Sequence, residues 1–234
     1  MKKGDFVELV YTGRIKDLNL VFDTTNEKEA KESNIHDARA SYGPVIICIG
    51  QGHVIKGLDE QLEGKELGKE YHIELSPEQG FGKKNAKLIQ LVATSKFIKQ
   101  KINPMPGLQV NIDDMTGMIR TVSGGRTLVD FNHPLAGKEL TYDFKINKIV
   151  KDDEEKLKAL LKLQLNLKDI KVEIKEGNAT IDLNIKQDLP KPVEEKLTKH
   201  IKEIIPSIKN IEFKAIETKI KESKLPEKPK ENKS

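Results

Sequence analysis

Asp23 is the first side chain whose setting points to chemistry. It follows Phe22 directly at the end of the apolar run Leu20-Val21-Phe22. Two readings are open: a cap or Asx turn for the polar segment that follows, or a carboxylate at a pocket edge, held by a Tyr or an Arg. The other groups that commonly do chemistry are poorly placed for it. Cys48 is the single cysteine and sits inside the apolar run Val45-Ile46-Ile47-Cys48-Ile49, the setting of a buried thiol rather than a nucleophile. His36 stands beside Asp37, but His53, His72, His133 and His200 have no companion at i+3 or i+4 and no Cys partner, so neither a metal nor a cofactor is expected. What remains is the chemistry of an apolar cleft with one acid at its rim.

The floor of such a cleft is written in residues 49–64. An apolar strand stops at the glycine turn Gly50-Gln51-Gly52, and a short helical pattern follows with Ile55, Leu58 and Leu62 on one face and Gly64 as C-terminal cap. Val54 and Ile55, at the start of that helix, would present apolar side chains and a backbone end to whatever lies above them. Before this stretch, Val7, Leu9 and Tyr11 share one face of a strand, with Glu8 and Thr12 on the other, so Tyr11 points inward. Residues 25–44 are polar, carry a helical possibility over Glu27 to Glu32, and are long enough to ride over a pocket rim as a flap. After it, Tyr71, Ile73 and Leu75 alternate inward, and Ser76-Pro77-Glu78-Gln79-Gly80-Phe81-Gly82 forms a loop.

Residues 84–130 behave as a separate small unit. Strands are expected near residues 88–92, 108–112, 118–122 and 127–131, with a short helix at 95–100 and turns at 113–117 and 123–126, which makes a small antiparallel sheet. Met105, Met115 and Met118 all fall here, and Phe97 and Ile98 add to the apolar side. Core filling and an adaptable surface for varied apolar partners both suit these residues. Leu140, Tyr142, Phe144 and Ile146 then alternate along a closing strand.

The charged run Lys151-Asp152-Asp153-Glu154-Glu155 marks a boundary. Beyond it the pattern is helix (Leu157, Leu160, Leu161), strand (Ile170, Val172, Ile174), a turn at 176–178, strand (Ala179, Ile181, Leu183, Ile185), helix (Val193, Leu197, Ile201, Ile204) and strand (Ile211, Phe213, Ala215). Both hairpin strands alternate apolar with polar, so one sheet face is packed and one is wet. From residue 223 the Lys, Glu, Pro and Asn composition is that of a disordered tail. The element order also suits an RNA-binding domain of the KH type, but a Gly-x-x-Gly loop is missing; a homodimer or partner surface fits better.

Together, Tyr11-Thr12-Gly13, Phe22-Asp23, Val54-Ile55 with its flanking glycines, and above all Asn132-His133-Pro134-Leu135-Ala136-Gly137-Lys138 resemble the FKBP-type peptidyl-prolyl isomerases, in the SlyD-like branch that carries a chaperone domain inserted in the flap. The resemblance covers about residues 1–150. It implies an α+β protein: an FKBP-like antiparallel sheet wrapped on a short helix (1–83 plus 131–150) and a small β-rich insert (84–130). To these the sequence adds a C-terminal α+β domain of about three strands and two helices (151–222) and the tail at 223–234. It further implies that Tyr11, Phe22, Asp23, Val54, Ile55, Leu58, Phe81 and Tyr142 line the catalytic pocket. The Ile55 N–H would donate to a substrate carbonyl, and Phe97, Ile98, Met105, Met115 and Met118 of the insert would hold unfolded polypeptide. Two departures stand out: Leu58 replaces a common Trp, making a shallower floor, and Phe81 replaces a Tyr, losing a hydroxyl donor. Without the resemblance, core packing explains each of these aromatics. The alternative function is a non-catalytic holdase or binding module on the same scaffold.

Composition narrows the partners. Charged residues make up 33% of the chain, yet Lys+Arg 41 against Asp+Glu 37 leaves only +4, and Arg14, Arg39, Arg120 and Arg126 are the only arginines. That is a mixed solubilising surface, of the Lys/Glu-rich, Trp-free kind frequent in hyperthermophiles, and it counts against a nucleic-acid partner. No stretch has the length and apolarity of a membrane span or a signal-peptide core, so a cytoplasmic protein acting on unfolded or proline-containing polypeptides is expected.

Overall fold

The alternating pattern of residues 6–15 becomes strand β1 (Phe6–Ile15), the centre of an antiparallel sheet. In this computed structural model, which describes residues 1–165, 167, 169–184 and 189–214, the chain forms two compact units, Met1–Lys151 and Asp152–Ser234. Along one edge β1 pairs throughout with β9 (Leu140–Val150); its other edge is shared between β2 (Leu20–Thr24) and β3 (Val45–Cys48). Strand β4 (Glu70–Leu75) pairs with the far side of β9. The inward residues of these strands meet Leu58 and Leu62 of the short helix α2 (Lys56–Leu62) in one core with Val7, Leu9, Ile47, Leu75 and Tyr142. Each such side chain contributes about 1.5–3 kcal/mol by leaving water, which is why the sheet wraps this helix. Gly64, at φ +75, follows the helix as expected.

The helix α1 (Glu27–Glu32) lies elsewhere than a flap would. Its Glu29 accepts from Thr12 Oγ1 at 2.8 Å and pairs with Arg14, which also pairs with Asp143 of β9. Thr12 and Arg14 alternate with Tyr11 and Gly13, so α1 is anchored on the opposite face of the sheet from Tyr11. Glu29, through Arg14 and Thr12, is what holds it there.

The segment after β4 builds a second sheet of order β5-β8-β7-β6, from β5 (Ile89–Ala93), β6 (Gln109–Ile112), β7 (Met115–Ser123) and β8 (Arg126–Asp130). Helix α3 (Thr94–Lys99) supplies Phe97 to a core that includes Val110, Ile119 and Val129. The turn expected over 113–117 is only two residues long, because Asp113 and Asp114 both adopt positive φ (50° and 62°), the geometry that matches strand twist in a tight hairpin. Met115 therefore belongs to a strand, opposite Ile112.

The second unit runs α4 (Asp153–Leu165), β10 (Lys171–Lys175), β11 (Asn178–Asp182), α5 (Lys191–Ile204) and β12 (Asn210–Lys214). A hairpin at Glu176-Gly177 joins β10 to β11, and β12 lies parallel to β11, since α5 carries the chain back to the same end of the sheet. Leu157, Leu160, Leu161, Ile181, Leu197 and Ile201 are buried, whereas Lys171, Glu173 and Lys175 are exposed. The expectations for Ile185, Ala215 and the tail at 223–234 lie outside the described residues.

Candidate functional site

The sheet, the turn before α2 and the loop after β4 bring most of the expected residues to one place. Tyr11 comes from β1, Phe22 and Asp23 from the end of β2, Val54 and Ile55 from the turn, and Phe81 from the loop; Tyr11, Phe22, Val54, Ile55 and Phe81 are partly buried side chains packed on the core. Phe22 is the keystone. Its ring stands edge-on to Phe81 (5.9 Å, 78°) and to Tyr142 (5.8 Å, 85°), and Tyr142 in turn meets Tyr11 at 5.9 Å. Aromatic pairs at such separations and tilts are favourable beyond their burial.

Asp23 does not cap α1; Asn26 does, accepting from the N–H groups of Lys28 and Glu29. Asp23 instead accepts the Tyr11 hydroxyl. Burial raises its carboxyl above the ordinary value, and the bonds from Tyr11 and the Thr24 N–H pull it part of the way back. Burial and the Asp23 charge push the Tyr11 hydroxyl far up, so it remains a donor across the physiological range. Tyr142 is shifted the same way, by burial first and then by Asp23. The site thus pairs a poorly solvated carboxylate with one oriented phenol under an aromatic wall.

Two expected lining residues sit deeper than foreseen. Leu58 is fully buried, because α2 starts only at Lys56 and turns Leu58 to the core; Val54 and Ile55 precede the helix, with Ile55 extended (φ −59°, ψ 147°). Tyr142 is likewise buried and offers its ring to Phe22 and Tyr11 rather than to solvent. The Ile55 N–H finds no acceptor among the described residues.

Three supports went unseen in the sequence. Gly13 lies opposite Tyr142 in the ladder, and a Cβ there would be 2.8 Å from the Tyr142 ring and 3.0 Å from the Phe22 ring. Asp59 is buried and accepts from the N–H groups of Gly50 (2.9 Å) and Gly52 (3.0 Å), which fixes the turn that carries Val54 and Ile55. An acid one helical turn inside a helix that follows a glycine turn was the available signal. The third is a neck joining the two sheets of the first unit. Asp130 at the end of β8 takes Arg120 and Lys84 on one oxygen and both the N–H and the side-chain amide of Asn132 on the other, while Asn132 exchanges hydrogen bonds with the Asn85 backbone. Beside it His133 stacks flat on Phe81 at 4.4 Å.

Among the residues on and around the second sheet, Ile98 (64%) of α3, Met105 (53%) of the segment after it, and Met115 (41%) and Met118 (37%) of β7 are exposed, whereas Phe97 (1%) of α3 is not. Phe97 is corrected from surface to core: with few large apolar residues, so small a unit needs its one central aromatic inside. Among the described residues no group of three or more His, Cys, Asp or Glu is placed to hold a metal, and His36 is engaged by Tyr42 stacking and Glu27.

The chain is 32% identical over 155 residues to a short-type peptidyl-prolyl cis-trans isomerase of Methanocaldococcus jannaschii, covering 66% of this chain and 98% of that one. The chain belongs to the FKBP-type peptidyl-prolyl cis-trans isomerases. The profile of that family matches residues 1–98, and a profile described as FKBP26, IF domain, matches residues 90–135. Further FKBP-type relatives include a probable 16 kDa isomerase of Pseudomonas fluorescens (30% over 115 residues, 47% of this chain and 75% of the relative) and a SlyD isomerase of Haemophilus influenzae (26% over 133 residues, 55% and 69%). As an FKBP-type isomerase the chain needs no nucleophile, because cis and trans X-Pro differ by only about 0.5–1 kcal/mol and only a rotational barrier of about 18–20 kcal/mol has to be lowered. No described helix is long and apolar enough to cross a membrane.

Proposed function

We propose that this FKBP-type isomerase catalyses prolyl rotation in the cleft between Phe22, Phe81 and the Tyr11–Asp23 pair, and that residues 84–130 form a chaperone-like domain that holds unfolded polypeptide next to it. The edge-on packing of Phe22 between Phe81 and Tyr142, above an acid that burial has already made costly to ionise, carries this reading. A twisted amide loses its resonance dipole and is disfavoured less where water is excluded. Val54 and Ile55 would support the proline ring, the Ile55 N–H would hold the neighbouring carbonyl, and Asp23 would act through Tyr11. Leu58 and Tyr142 would act from beneath, as fixed support. The exposed Ile98, Met105, Met115 and Met118 would make the client surface, with Phe97 holding that surface together. The unit beginning at Asp152 would serve a partner or a second copy.

Two outcomes test the assignment. Asp23→Asn should cut kcat/KM on a proline tetrapeptide about tenfold with peptide binding retained. Because the folded carboxyl titrates above its unfolded value, its ionisation costs stability once pH exceeds the ordinary Asp range; the variant should therefore melt higher than wild type at pH 7 and the same at pH 3. Equal activity in both proteins would remove Asp23 from the mechanism. Replacing residues 84–130 by a short turn should leave tetrapeptide turnover within about threefold and lower the acceleration of proline-limited refolding about tenfold, as tethered client is lost. A shortened protein that still accelerates refolding fully would sink the chaperone part, and one series inactive on both substrates would favour a pure holdase.

A further inference from the structure

Between the neck and the second sheet lies a cavity of about 760 Å³, within the size range of sites that enclose ligands. Met118 and Phe131 give it apolar walls, and His133, on its border, stacks directly on the pocket residue Phe81. His133 thus links the lining of the cavity to the aromatic cluster around Phe22. Charge is unevenly distributed over the lining: Lys84, Arg120 and Lys138 face a single acid, Asp130. That carboxylate is already saturated by five donors, two from Asn132, two from Arg120 and one from Lys84. Lys84 and Arg120 are still 44% and 45% exposed, so both keep N–H groups in hand, and Lys138 pairs with no acid among the described residues. Three cations against one anion leave the cavity with a formal charge of +2.

We propose that this cavity is a subsite for the client chain flanking the proline, and that it selects segments carrying Asp or Glu a few residues from the prolyl bond. The inference rests on the aromatic cleft being the catalytic pocket, and it adds a substrate preference to it. The occupant is the same polypeptide whose proline sits against Phe22 and Phe81; its apolar side chains would lie on Met118 and Phe131 while its carboxylate meets Lys138 and the spare donors of Arg120 and Lys84.

The experiment uses the full-length protein and decapeptides with a central Ala-Pro bond, bearing Glu, Gln or Lys three or four residues from the proline on either side, with isomerisation followed by NMR exchange. An unflanked tetrapeptide, too short to enter the cavity, is measured alongside. On one side of the proline KM should be about threefold to tenfold lower for Glu than for Gln, and higher for Lys, with kcat little changed and the preference fading at 0.5 M salt. The Gln-to-Glu ratio of KM should shrink in Lys138→Gln, where the cavity keeps a single net positive charge, and approach one in Lys138→Glu, where two cations face two acids. Turnover of the tetrapeptide together with equal KM for all three decapeptides overturns the subsite while sparing the catalytic cleft, whatever else fills the cavity. A preference for Glu that persists unchanged in Lys138→Glu would place the recognition elsewhere and overturns it too. No turnover of the tetrapeptide removes the cleft and the subsite together.

Discussion

Substituting Gly13 by alanine should cost the isomerase about tenfold to a hundredfold in kcat/KM while leaving a folded protein. Gly13 is the ladder partner of Tyr142, and the Tyr142 ring lies across the space a side chain would fill: the added methyl would sit 2.8 and 2.9 Å from two ring carbons of Tyr142 and 3.0 Å from the Phe22 ring. Neither ring can retreat freely, because Tyr142 is buried in the core and Phe22 is wedged against Phe81. Overpacking of this kind costs about 1–3 kcal/mol, and moving an aromatic wall by a fraction of an ångström transmits part of that cost to the transition state at tenfold per 1.4 kcal/mol. Adding Tyr142→Phe should not restore activity, since the contacts are to ring carbons that phenylalanine keeps. An alanine variant with wild-type turnover and melting temperature would show that the ring pair can give way and that the cleft tolerates its displacement.

Asp130→Ala should loosen the neck and the second sheet, lowering stability by about 2–4 kcal/mol. The carboxylate is buried and gathers Asn132, Arg120 and Lys84; removing it strands two cations and frees the turn that starts the return crossing. Full burial of all partners would raise the cost further, but the two cations are half-exposed and can turn to water. Burial acts against the charged form of Asp130, yet the donors on both oxygens outweigh it and hold the carboxyl well below the usual carboxylate range. Its folded value is thus depressed, so its stabilisation is complete above the ordinary Asp pKa of about 4 and fades only as pH falls below that, through the folded value. The gap between wild type and Asp130→Ala should accordingly be constant from pH 8 to 5 and shrink in stronger acid. Amide hydrogen exchange localises the effect: protection should drop in β5, β8 and residues 84–85 and persist in α2 and β9. Uniform loss across the first unit would mean that the neck is not a separable support.

Much of this architecture was legible because its elements bury one face. Alternation in Val7, Leu9 and Tyr11, in Tyr71, Ile73 and Leu75, and in Leu140, Tyr142, Phe144 and Ile146 is a period-two signal that survives into the sheet, and the helix expected over Glu27 to Glu32 forms there, capped by Asn26 and not by Asp23. Other features left no such trace. Nothing in the sequence ties Thr12 and Arg14 to α1, because an ion pair between distant segments has no local pattern. The two-residue turn at Asp113-Asp114 was hidden because left-handed aspartates are less recognisable than glycines. Met105, Met115 and Met118 could not be divided between core and surface by composition; the small core around Phe97 leaves them no room inside.

By itself, then, the sequence determined the inward faces of the alternating strands, where the second sheet interrupts the first and, through the residues it shares with them, the kinship with FKBP-type isomerases. Only the tertiary structure decided how the side chains support one another: that Asp23 serves Tyr11 and not a helix end, that Gly13 makes space for Tyr142, that Asp59 ties the turn beneath Ile55, and that Asp130 locks the neck. The physical reason is the range of the interactions. Burial and backbone periodicity act over neighbouring residues and are written along the chain, whereas close approach and charge pairing act between segments far apart in sequence and exist only once the fold has brought them together.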